Sequence, residues 1–202
     1  MGIVTARACV SLDGFSAAAG QSLEEPFGVG GMVLPQWQFE TGQPGHEADA
    51  ELLAGTTVGV GAYIMGRRMF GGGSGEWDLD WTGWWGEEPP YRAPVFVLTH
   101  HERAPLQMKG GTTFIFVTEG IESALAQAKV AAGEQNVVIA GGASAVSQYM
   151  AAGLLDELLL HLVPVTLGAG ERLLDGVGTQ TLERVEAIAS PTVTHLRYRV
   201  VR

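Results

Sequence analysis

Short apolar runs separated by polar, glycine-rich turns organise this chain. Ile3 to Val10 is rich in strand-forming residues and stops at Ser11-Leu12-Asp13-Gly14, a turn signal. Val58 to Met65, Pro94 to Thr99, Thr113 to Val117, Val137 to Ala140 and Leu155 to Val163 have the length and apolar content of buried strands. Ile121, Leu125 and Ala128 recur at helical spacing and predict an amphipathic helix. Ala143 to Ala152 predicts a second helix, ended by Gly153, and Glu47 to Leu53 a short one. Gly66-Arg67-Arg68-Met69-Phe70 reads as a turn entering a helix. Leu182 to Ala189 and Thr192 to Val201 predict a terminal antiparallel pair, turned near Ser190-Pro191. Residues 17–45 are irregular, and Gly71 to Pro90 is a long glycine-rich and acidic loop with four tryptophans.

Strand alternates with helix and strands close the chain. This predicts an α/β sandwich around a mostly parallel sheet with an antiparallel C-terminal edge. There is no internal repeat, linker or compositional break, so a single domain over residues 1–202 is expected.

Composition narrows the partners. A formal net charge of -10 argues against nucleic-acid binding, which needs clustered Lys and Arg. It leaves room for a small anion in a locally positive pocket. Cys9 is the lone cysteine, so neither an internal disulfide nor a cysteine metal cluster is expected, and no metal site is predicted. No stretch approaches the roughly 20 apolar residues of a membrane helix, and the start lacks a signal-peptide pattern. The expectation is a cytoplasmic protein that binds a small-molecule substrate and no membrane. The apolar strands and tryptophans make a homodimer reasonable.

Candidate chemistry lies at strand ends, where open α/β sheets bind ligands. Gly141-Gly142 joins a strand to the helix beginning at Ala143. Glycines permit close backbone approach, and the helix start offers free N–H groups and a positive dipole end. A phosphate or pyrophosphate fits such a cradle, as does a mere close-packing turn. Arg67 or Arg68 supplies charge-assisted hydrogen bonds after one strand, and Thr99 and His100 a hydroxyl and a ring N–H after the next. One of the two arginines is expected to face solvent or to pair with an acid such as Glu76. The set suits a nucleotide with a pyrophosphate and one further phosphate, the pattern of NADPH.

The order of these pieces resembles the dihydrofolate reductase superfamily. More closely it resembles the riboflavin-biosynthesis reductase domain, the C-terminal part of the bacterial bifunctional deaminase–reductase. The resemblance is carried by Ser11-Leu12-Asp13-Gly14, by Tyr63 through Phe70, by Val95 to Thr99 and by Ile139-Ala140-Gly141-Gly142. It continues with Leu155-Asp156-Glu157-Leu158 leading to Pro164, and with Gly168-Ala169-Gly170. It implies a three-layer dihydrofolate reductase-like fold and an NADPH-dependent reductase of a small heterocyclic or imine substrate, similar to 5-amino-6-(5-phosphoribosylamino)uracil reductase. Gly66, Arg67, Arg68, Thr99 and His100 would then bind the adenosine 2′-phosphate side. Gly141, Gly142, Ala143 and Ser144 would hold the pyrophosphate, and Asp13 would lie near nicotinamide and substrate. Asp49 stands near the place of the carboxylate that assists protonation in folate reduction. The riboflavin reductases carry a Glu before the glycine pair, where this chain has Ala140. The departure keeps a second reading open, a non-catalytic nucleotide or pterin-like ligand binder of the same fold.

Plainer roles stand beside these. Asp13 before Gly14 suits a turn residue bonding its own backbone. Asp49 suits a helix-start acid. Trp77, Trp81, Trp84 and Trp85 suit a core face or an interface, and Trp77, nearest the arginines, is the candidate pocket residue. His161 in an apolar strand reads as a core histidine, and His46, His101 and His195 lack metal-ligand spacing.

Overall fold

In the computed structural model, residues 2–71 and 75–202 are described. The strands are β1 (Val4–Ser11), β2 (Phe15–Ala18), β3 (Val60–Gly66), β4 (Pro94–Leu98), β5 (Leu106–Gln107), β6 (Thr113–Val117), β7 (Asn136–Gly141), β8 (Glu157–Val163), β9 (Gly170–Arg172), β10 (Thr181–Ala189) and β11 (Thr194–Val201). The helices are α1 (Glu47–Ala54), α2 (Arg67–Phe70), α3 (Gly120–Ala132) and α4 (Ala143–Ala151). Nine strands form one sheet in the order β10-β11-β8-β1-β7-β3-β4-β6-β5. Its centre, β8 through β6, is parallel, and β11, β10 and β5 run antiparallel at the margins. β2 and β9 make a separate two-stranded ribbon that the apolar pattern did not predict. Both are too short, at four and three residues, to show an alternation of their own.

Period-two alternation sends neighbouring residues to opposite faces. On one face Val4, Ala6, Ile64, Ile139 and Leu158 are buried with the apolar sides of α3 and α4. Ala124, Leu125, Ala128 and Ala132 form the inward stripe of α3. Gly61 lets α3 sit close: a Cβ there would lie 2.6 Å from Ala132 Cα. On the other face two clusters divide the sheet. Aromatics of the 75–91 region cover Tyr63, Val95, Val97 and Phe114. Leu34 and Trp37, on short turns of the irregular 17–45 segment, seal Val163 and Val193 beside Cys9. No helix among the described residues is long and apolar enough to cross a membrane.

β1 is held unequally by its neighbours. It pairs with β8 from Thr5↔Glu157 to Ser11↔Val163, but with β7 only from Val4↔Val137 to Ala6↔Ile139. Beyond Ala6 the two central strands part. The sheet is therefore open at its carboxyl end, between the tip of β1 and the glycine pair that ends β7.

Candidate active site

Two glycine-ended strands meet beside that opening. Gly141 has φ of 128°, a conformation that side-chain-bearing residues rarely adopt, and a Cβ there would lie 3.2 Å from Met69 Sδ. A Cβ on Gly66 would lie 3.7 Å from the Gly142 nitrogen. The starts of α2 and α4 thus converge beside the end of β7. Ala143 and Ser144 open α4, and the Ser144 hydroxyl accepts from Gln148 Nε2 at 3.1 Å.

The two arginines after β3 diverge. Arg67 is buried, with its guanidinium 3.7 Å above the Trp77 ring and Nη2 donating to the Gly75 carbonyl at 2.5 Å. Its Nε and Nη1 are buried without a hydrogen-bond partner among the described residues. Burial lowers the Arg67 pKa, and the charge of Glu76 opposes that. A buried guanidinium with open N–H groups fits an incoming anion. Arg68 is exposed and bonds Glu171 of β9 at 2.5 Å, so its acid is Glu171 rather than Glu76. Thr99 is buried and turned onto its own loop: Oγ1 donates to the His101 carbonyl and accepts from the His101 amide. His100 is exposed next to it.

Trp77 lies under Arg67 and packs edge-on against Phe70 and Phe116, with Nε1 donating to the His101 carbonyl at 2.9 Å. It serves as a platform for the arginine within an aromatic cluster. Trp81 is held by Nε1 donation to the Phe70 carbonyl, and Trp85 stacks on Phe114. Of the 71–90 loop, residues 72–74 lie outside the described residues.

Both candidate acids are committed to hydrogen bonds. The Asp13 carboxylate accepts from Ser11 Oγ at 2.6 Å, Gly168 N at 2.7 Å and Leu167 N at 3.1 Å. The Ser11 hydroxyl first, then the two amides, pull its pKa down to about 2. Asp13 ties the tip of β1 to the 167–168 loop and has no proton to give near neutrality. Asp49 is completely buried and turned inward from the first turn of α1, away from the dipole-facing position a helix-start acid would take. It accepts from Ser190 Oγ at 2.6 Å, His46 Nδ1 at 2.7 Å and His195 Nε2 at 2.8 Å. Burial pushes its pKa up, but the Ser190, His195 and His46 bonds outweigh it and the net direction is down. The structure does not bring Asp49 together with Arg67 and the glycine pair. It lies on the far side of β1, over β8 and β11.

Three features were not singled out from the sequence. His46, His161 and His195 join Asp49 in one buried cluster, with His161 Nδ1 2.7 Å from His195 Nδ1. Nothing in the spacing of positions 46, 161 and 195 signals this, because strand register pairs His161 with His195 and the start of α1 brings His46 to Asp49. Arg172 stacks 4.4 Å over Phe15. Finally, a cleft of about 510 Å³ separates α4 from β9, lined by Ser144, Ser147, Gln148, Glu171 and Arg172, among others. The Ser147 hydroxyl there is buried without a partner among the described residues.

A mostly parallel sheet, parted beside β1 and bordered by glycine-ended strands, is the frame of a dihydrofolate reductase-like α/β protein. Three solved structures share it. One is a Shewanella sp. PV-4 protein named for riboflavin biosynthesis, with TM-score 0.67, 19% identity and 99% of each chain covered. Another is Acinetobacter baumannii RibD, with TM-score 0.62 and 16% identity, matched by the whole of this chain over 59% of its own length. The third is Enterococcus faecalis dihydrofolate reductase complexed with NADP(H), with TM-score 0.59, 16% identity and coverage of 100% and 98%. The chain belongs to the RibD C-terminal domain family, whose model matches residues 3–196. A search of curated proteins found no match.

Proposed function

We propose that this protein is an NADPH-dependent reductase of a small heterocyclic or imine substrate. The observation that carries the reading is the buried guanidinium of Arg67, with two nitrogens unpartnered among the described residues, beside a sheet opening edged by Gly141-Gly142. An unpaired buried cation is costly, and a bound phosphate relieves it. Gly141, Gly142, Ala143 and Ser144 would hold the pyrophosphate on the α4 amides, and Gly66, Arg67, Thr99 and His100 the 2′-phosphate side, with Arg68 left to Glu171 at the surface. When bound, the cofactor supplies hydride from its dihydronicotinamide. The chain's own task is to orient the acceptor in the gap between β1 and β7 and to keep water out. Ala140 faces the same side of the sheet as Tyr63 and Val138, and its methyl leaves room where the riboflavin reductases place a carboxylate. The substrate is therefore one that asks for no carboxylate at that position.

Thermal unfolding with each cofactor tests this. NADPH at millimolar concentration should raise the midpoint well beyond NADH, since a ligand that binds only the native state stabilises it. Equal or absent shifts would remove the claim. One observation favours the second reading, a binder without chemistry: Asp13 and Asp49 are both engaged internally. Cofactor oxidation with any member of a pyrimidine, pterin and imine panel excludes that reading.

A further inference from the structure

A second arginine shares the aromatic platform of Arg67. Arg103 lies in the loop after β4, and its guanidinium carbon is 5.1 Å from the centre of the Trp77 ring and 5.2 Å from that of Phe116. Arg67 stands 3.7 Å from the same indole. Arg103 Nη2 donates to the carbonyls of Trp81 at 2.7 Å and Leu79 at 3.0 Å. Its Nη1 is buried without a partner among the described residues, as are Nε and Nη1 of Arg67. Two like charges are thus left with open N–H groups beside one ring.

No carboxylate neutralises them. Among the described residues neither guanidinium forms an ion pair. Glu76 is almost fully exposed and lies 3.5 Å from His101 Nδ1. Asp78 and Glu102 are exposed, and Glu119 folds back to accept from the Thr118 amide at 3.1 Å. Burial lowers the Arg103 pKa; the charge of Asp78 opposes this and that of Arg67 adds to it. Like charges at this range repel, and a buried cation without a partner is costly. A singly charged anion offsets one arginine, whereas a dianion offsets both. A phosphate monoester carries close to two charges at neutral pH.

The sheet order builds this site. β3, β4 and β6 are successive parallel neighbours, and Arg67, Arg103 and Thr118 follow their carboxyl ends. The Thr99 amide donates to the Val117 carbonyl at 3.1 Å and extends the β4–β6 pairing to the base of these loops. Beside them opens a cleft of about 480 Å³ lined by Arg103, Phe116 and Thr118, among others, along which Arg103 stays partly exposed.

We propose that Arg103 joins Arg67 beside Trp77 in a two-arginine site for a phosphate monoester dianion, the 2′-phosphate of the cofactor, and so sets the preference for NADPH over NADH. Assigning that phosphate to the cofactor rests on the reductase reading. Charge divides the ligand between two places. The pyrophosphate, singly ionised at each phosphorus, is left to Gly141 through Ser144, and the doubly ionised monoester goes to the two guanidinium groups. Arg103 is a specificity residue and takes no part in hydride transfer.

Isothermal titration of the full chain at fixed pH and salt tests this. 2′-AMP should bind the unaltered protein about tenfold more tightly than 2′,3′-cyclic AMP, which has the same base and ribose but a singly ionised phosphate. Equal affinity for the two, or binding of neither, would overturn the site without any variant. Arg103→Gln removes the charge and keeps an N–H donor for the Leu79 and Trp81 carbonyls. It should weaken NADPH and 2′-AMP about tenfold and leave NADH within about twofold. Equal losses for NADPH and NADH, or no loss, would reduce Arg103 to a clasp on the tryptophan loop and leave the reductase reading standing. Unaltered protein that prefers 2′-AMP over its cyclic form yet fails to bind NADPH would keep the two-arginine site and remove the reductase reading.

Discussion

Arg67 and Arg68 are adjacent and chemically alike, yet the fold separates them completely. One is stacked on Trp77 with N–H groups to spare, and the other is held at the surface by Glu171. Arg67→Ala should weaken NADPH binding about tenfold, the value of one or two charge-assisted bonds, and leave NADH nearly unchanged. Isothermal titration with both cofactors reads the ratio, and a constant ratio removes Arg67 from the site. Asp13→Ala should release the 167–168 loop, seen as faster amide exchange at Leu167 and Gly168, with little change in overall fold. Gly141→Ala forces a side chain into φ of 128° against Met69 and should cost about 1–3 kcal/mol in chemical denaturation. The sequence displayed the glycines and the arginine pair plainly. It could not show which arginine is buried, because that depends on where Trp77 comes to rest.

At the scale of elements the apolar pattern was a good guide where elements are long. Strands β3, β4, β6, β7 and β8 and helices α1 and α4 lie within a residue or two of their apolar runs, α3 contains the Ile121, Leu125 and Ala128 stripe, and the terminal pair turns at Ser190-Pro191 as expected. The β2–β9 ribbon and two-residue β5 escaped because so few residues carry no period. Register escaped as well. No periodicity states that Cys9, His161 and His195 stand side by side, so the histidine cluster was invisible while each strand was legible. The packing of α3 on β3 offers a direct check. Gly61→Ala would place a methyl 2.6 Å from the Ala132 backbone, and overpacking of this kind costs about 1–3 kcal/mol. For a chain of this size the melting temperature should drop by about 2–4 °C per kcal/mol. An unchanged midpoint would mean that α3 slides freely, against the close fit seen here.

For the whole molecule the buried His161 shapes the response to acid. Burial first, then His195 and Arg7, lower the His161 pKa from 6.5 to about 3. Unfolded chains take up a proton near pH 6.5 that the native chain refuses until about pH 3. Stability is therefore full above about pH 6.5 and declines as the pH falls toward 3, by up to about 1.4 kcal/mol per pH unit. Asp49, also shifted down, adds loss in the same direction at the acid end. Urea midpoints at pH 7.5 and 5 should differ accordingly, and His161→Gln should flatten the dependence. A flat wild-type profile would contradict the buried, neutral His161.

The open sheet also has two rims. One ends in the two-residue β5, too short to recruit another strand. The other is the nine-residue β10, which carries Glu183, Arg184 and Glu186 and breaks its register at Val185. Glu183 and Glu186 are also bonded to Arg199 and Arg197 of β11. This rim is where a concentrated solution would begin to polymerise, and its charges and kink are what prevent it. A Glu183→Val, Glu186→Val double variant should keep the native circular dichroism spectrum yet scatter light at millimolar concentration, where the parent chain stays clear.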